Sequence, residues 1–164
     1  MVKKNRKPII MVLWVIFILM VAVIAFLSFQ NGEDAKQFGD RLILYVAGIF
    51  SDETMTKKEI ESVIYQVRQC GRAVAFLLIG MVGTLTIHVS CPKCNWGIKT
   101  GITAFILLTI AFLTERLKIY IPSRHYSYGE MLISILAVTA GFFAVSVITL
   151  TAKALKGLLI TLFG

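Results

Sequence analysis

The chain has 164 residues, of which 57% are hydrophobic and 16% charged, and its net charge is +8. A soluble domain is about 45–50% apolar and about 25% charged, so this composition excludes disorder and is too apolar for one soluble core. Three cysteines are too few, and an odd number, for a disulfide-stapled secreted domain, which leaves a polytopic membrane protein of one domain over 1–164.

The first predicted element is the uncharged run Ile9 to Phe29. It is long enough to cross a ~30 Å hydrocarbon core at about 1.5 Å per residue. Lys3, Lys4, Arg6 and Lys7 precede it, and no small-residue cleavage site follows it in Phe26-Leu27-Ser28-Phe29-Gln30. The run is therefore expected to be a retained signal-anchor with the N-terminus inside.

Residues 30–72 form a polar outer loop. Asn31-Gly32 marks a turn, and 39–50 reads as a short amphipathic helix at the membrane interface. Thr56 and Glu59 have capping-box spacing, and Ile60, Val63, Ile64 and Val67 recur at i, i+3, i+4 and i+7. This second amphipathic helix is expected to lie on the membrane surface and to turn into the next span near Gly71.

The second span is expected over 73–89, with Gly80 and Gly83 as close-packing positions. A Pro-containing turn over 90–97 leads to a third span over 98–113. Here Lys99 is expected to snorkel to the interface and Trp96 to join the aromatic belt. A second outer loop covers 114–130. The fourth span is expected over 131–151, with a small-residue face of Ala137, Ala140, Gly141 and Ala144, followed by an interfacial tail from Gly157. The predicted fold is thus an all-α integral membrane bundle of four transmembrane helices with a short amphipathic extracellular helical segment. No charge is expected inside any span.

The charges sort by side. The inner segments carry Lys3, Lys4, Arg6, Lys7, Lys93, Lys99, Lys153 and Lys156 and no acid, whereas all nine acids fall on the two outer loops. The excess of base is therefore a topology signal with both termini inside, and not a nucleic-acid signal.

The polar groups with chemical interest gather on the outer face. Gln30 ends the first span, Arg68 and Arg72 enter the second, Glu115 leaves the third, and Arg124 and Glu130 precede the fourth. Two acids and an arginine at a shared membrane edge are a salt-bridged loop lock, simply solvated charge, or a polar ligand pocket.

Three of these segments resemble the VanZ-like family of bacterial membrane proteins. They are Ser28-Phe29-Gln30-Asn31-Gly32, the stretch from Arg68 to Gly80, and the set Glu115, Pro122, Ser123, Arg124, Glu130 and Gly141. The match covers most of the chain in order, with departures. Arg72 stands where the family has His, Ala75 and Phe76 replace Glu and Tyr, and Thr114 replaces Asp. Leu117-Lys118 replaces His-Gln, Glu130 replaces Asp, and Ser134 replaces Asn or Asp. The resemblance implies a multi-pass protein of the bacterial cell membrane acting at its outer face. Its ligand would be an envelope precursor or a glycopeptide, since the family's best-known member is associated with teicoplanin resistance. The alternatives are an accessory subunit bound to another membrane protein and an enzyme acting on a lipid-linked precursor.

His88, Cys91 and Cys94 place three candidate zinc ligands within seven residues, but a fourth is missing. They are read as a tight turn with buried thiols and an interfacial histidine, and Cys70 as a lipid-buried thiol. No metal or cofactor is expected. No nucleophile elbow, phosphate loop or His-Glu-x-x-His occurs, and Ser134 and Thr139 read as helix-packing hydroxyls.

Overall fold

The computed structural model describes residues 7–29, 57–92, 94–120 and 127–163. The described residues are all-helical. α1 covers Lys7–Phe29, α2 Lys57–Ser90 and α3 Trp96–Arg116; a short 3-10 turn at Leu117–Tyr120 follows, and α4 covers Tyr128–Phe163. Four stretches are long and apolar enough to cross a membrane: Lys7–Phe26, Tyr65–Ser90, Trp96–Tyr120 and Tyr128–Leu155. The expected four-helix pattern therefore stands by length and composition. The turn at Asn31-Gly32 and the amphipathic helix over 39–50 lie outside the described residues.

Two boundaries differ from the sequence reading. α2 runs without interruption through Gly71, so the amphipathic segment and the second span are one helix. A helical glycine costs only about 1 kcal/mol relative to alanine, and the apolar periodicity before it continues into the span. α4 likewise continues past Gly157 to Phe163 as helix, where a separate tail was expected. The sequence after Lys156 holds no proline to stop it.

The bundle is centred on α2 and α4, which meet at glycines. A Cβ on Gly80 would strike the Val138 carbonyl, and one on Gly141 would strike the Leu77 carbonyl. Only glycine permits this backbone approach. Gly83 makes room for α1 and α3, since a Cβ there would lie 2.7 Å from the Phe17 ring and 2.8 Å from Leu107. Around these contacts pack Phe17, Phe76, Ile79, Leu107, Ala111 and Val138. Of the expected small face of α4, Ala137 and Gly141 are buried while Ala140 and Ala144 are exposed.

The outer surface of the bundle is apolar. α1 exposes Met11, Val12, Val15, Ile18, Leu19 and Phe26. Each such side chain forfeits about 1.5–3 kcal/mol when left in water, a cost that vanishes against hydrocarbon. Several hydroxyls inside the bundle bond within their own helix. Thr84 donates to the Gly80 carbonyl at 2.6 Å, Thr103 to Lys99 at 2.7 Å, Ser134 to Glu130 at 3.0 Å and Thr139 to Ile135 at 2.7 Å. These bonds satisfy each polar group without a partner helix. α1 is fastened to the far end of α2 by Trp14, whose Nε1 donates to Ser90 Oγ at 3.0 Å.

Candidate functional site

The long apolar helices extend beyond the spans expected from sequence, and charged residues lie in these extensions. Arg72, Glu115, Lys118 and Glu130 lie within them and meet at one end of the bundle. The local structure explains the meeting. α3 ends at Arg116, and the 3-10 turn that follows brings residues three apart into line, so Lys118 folds back over Glu115. Lys118 Nζ lies 2.6 Å from Glu115 Oε2. Glu130 sits in the first turn of α4, where the positive end of the helix dipole favours an acid. Arg72 reaches across from α2.

The four groups form a closed square. Lys118 Nζ also lies 3.4 Å from Glu130 Oε2. Arg72 Nη1 is paired with Glu130 Oε2 and lies 3.7 Å from Glu115 Oε1. Each cation thus addresses both carboxylates, and the formal charges cancel. The square has depth. Glu115 and Lys118 are 1% and 3% exposed, whereas Arg72 and Glu130 are 20% and 24% exposed. A buried ion pair therefore underlies a rim pair that solvent or a ligand can reach.

Gln69 extends the rim. Its Nε2 donates to Glu130 Oε1 at 3.4 Å, and its Oε1 is buried without a protein partner. The Glu130 carboxylate fixes this orientation, because the reversed amide would set two oxygens against each other. Gln69 thus leaves one unpaired acceptor enclosed just behind the rim.

Of the six residues picked from sequence, Arg72, Glu115 and Glu130 converge. Arg68 is exposed one turn earlier on α2 and does not join the square. Gln30 and Arg124 lie outside the described residues. Lys118 and Gln69 were not selected, yet both belong to the site. Their signal was spacing: Glu115 and Lys118 are opposite charges at i, i+3, and Gln69 shares a helical face with Arg72 at i, i+3.

The His88, Cys91 and Cys94 segment holds a correction. Both thiols are exposed on the turn instead of buried, because the turn projects past the ends of α2 and α3. Cys70 is also exposed on the surface of α2. His88 Nδ1 bonds to the Thr84 carbonyl at 2.8 Å and so carries its proton there. Among the described residues no three His, Cys, Asp or Glu side chains gather as metal ligands.

Lys99 is the second correction. It was expected to snorkel outward and is instead 3% exposed, on the bundle-facing side of α3. No described residue forms an ion pair with it.

No protein-family model matches the chain, and no curated protein or solved structure matches it.

Proposed function

We propose that this chain is a divergent VanZ-like multi-pass protein of the bacterial cell membrane. Both its termini are inside, and its outer end binds the polar part of an envelope component or a teicoplanin-type glycopeptide. The observation that carries the reading is the charge square of Arg72, Glu115, Lys118 and Glu130. Ionisable groups inside span-forming stretches are costly, and they collect where a polar ligand or ion is handled. The buried Glu115–Lys118 pair holds the geometry. The partly exposed Arg72 and Glu130 offer a guanidinium for carboxylate or phosphate groups and a carboxylate for hydroxyl or ammonium groups. The unpaired Gln69 acceptor, enclosed behind the same rim, is a third polar group beside them. Both carboxylates are held by cations, an arrangement that suits binding better than proton transfer.

The test is teicoplanin susceptibility in a bacterial host expressing the full chain. The wild-type chain is expected to lower susceptibility. Gln69→Leu and Arg72→Met are expected to abolish most of that effect while membrane-inserted protein stays at wild-type level. Unchanged susceptibility with the wild-type chain, or full activity of both variants, overturns the reading.

A further inference from the structure

The end of the bundle opposite the charge square holds a partly open cavity of about 500 Å³. From Arg72 to His88 on α2, and from Glu115 to Lys99 on α3, is 16 residues, or about 24 Å along each helix. The two features are therefore separate sites. The cavity is walled by apolar side chains of different helices, among them Ile9 of α1, Leu85 and Val89 of α2 and Ala152 of α4. Lys99, Lys153 and His88 also line it.

These three polar groups lack counterparts. Lys99 is 3% exposed and Lys153 is exposed, and no described carboxylate pairs with either. His88 has spent Nδ1 on the Thr84 carbonyl, and its Nε2 is buried without a partner. A lysine this enclosed with no anion beside it is unfavourable unless something else supplies the negative charge. The contrast with the charge square is sharp, since there Arg72 and Lys118 each face both carboxylates.

We infer that this cavity is a binding site for an anionic phospholipid, with the phosphate of the head group seated between Lys99 and Lys153. Two features of the walls select a lipid over a free anion. They are mostly apolar, so they fit the glycerol and upper acyl region that accompanies a lipid phosphate. The cavity also lies where the span-forming stretches of α2 and α4 approach their ends, at the depth of a head group. Basic pockets between membrane helices hold anionic head groups through this combination. His88 contributes through Nε2, which accepts from a head-group hydroxyl when neutral and donates to the phosphate when protonated.

The test uses the full chain purified in a neutral detergent, with thermal unfolding followed on addition of three probes in turn: phosphatidylglycerol, phosphatidylcholine and inorganic phosphate. Phosphatidylglycerol is expected to raise the melting temperature with saturation, and the other two to leave it near its starting value. Lys153→Gln alters only an exposed side chain. It is expected to raise the phosphatidylglycerol concentration needed by about fivefold, the amount one basic residue contributes at an anionic surface. Lys99→Met is expected to remove the response altogether, and its starting melting temperature shows whether it has folded. An equal response to phosphatidylcholine overturns the anionic site, an equal response to inorganic phosphate overturns the lipid, and an unchanged response in Lys153→Gln overturns the placement. None of these outcomes touches the charge square at the other end.

Discussion

At the scale of single residues, the molecule turns on how few charges it buries and how it pairs them. Glu115 and Lys118 are almost wholly enclosed, so each depends on the other. Lys118→Met leaves Glu115 with only Arg72 at 3.7 Å. The variant is expected to lose about 3–5 kcal/mol of stability, because an uncompensated buried charge is worse than no charge. Replacing both members by methionine is expected to recover most of that loss, since an apolar pair of similar volume needs no counter-ion. Unfolding of the single and double variants in mixed micelles measures both, and a double variant no better than Lys118→Met would contradict the pairing. The site was half legible from sequence. Acid and base residues near span ends could be listed, and three of them do meet. Lys118 escaped because the 3-10 turn that folds it back is a backbone event with no marker residue. Lys99 was misread because a lysine near a helix end can turn either outward or inward, and only the neighbouring helices decide.

At the scale of elements, α2 and α4 are held by backbone contact. Gly141→Val forces a side chain against the Leu77 carbonyl, and overpacking of this kind costs about 1–3 kcal/mol or more. Alanine at a helical glycine with open space around it has the opposite sign. Nothing lies within 4 Å of a Cβ on Gly71, and its φ is not positive. Gly71→Ala is therefore expected to stabilise the protein by about 0.5–1 kcal/mol. A loss of stability there would mean that α2 bends at this position. The continuity of α2 was hidden because a polar amphipathic segment followed by an apolar one looks like two helices. Composition changes along it, but the backbone periodicity does not. The four spans themselves were plain in the sequence, since length and hydropathy alone define them.

At the scale of the whole molecule, the two ends differ in charge chemistry. One end sets Arg72 and Lys118 against two acids, and the other presents Lys99 and Lys153 with no acid paired to either among the described residues. The cysteines provide a direct measure of which end faces which compartment. Cys70 lies near the charge square, while Cys91 lies 21 residues further on, about 30 Å away along the helix. All three thiols are exposed and unpaired. If both termini are inside, as proposed, a membrane-impermeant maleimide labels Cys91 and Cys94 in a Cys70→Ser variant only after the cells are permeabilised. Labelling of that variant on intact cells would reverse the orientation.

The glycine crossing has a mechanical consequence. Gly80 stands eight residues from Arg72 on one side and eight from His88 on the other, so it divides that stretch of α2 into two equal arms of about 12 Å. Two rods that approach most closely at one point turn about that point, as a scissor does about its pin. A change of roughly 5° in their crossing angle displaces both arm ends by about 1 Å in opposite senses. Whatever spreads α2 and α4 at the paired-charge end therefore also changes their spacing beside His88 and Lys153, which line the cavity.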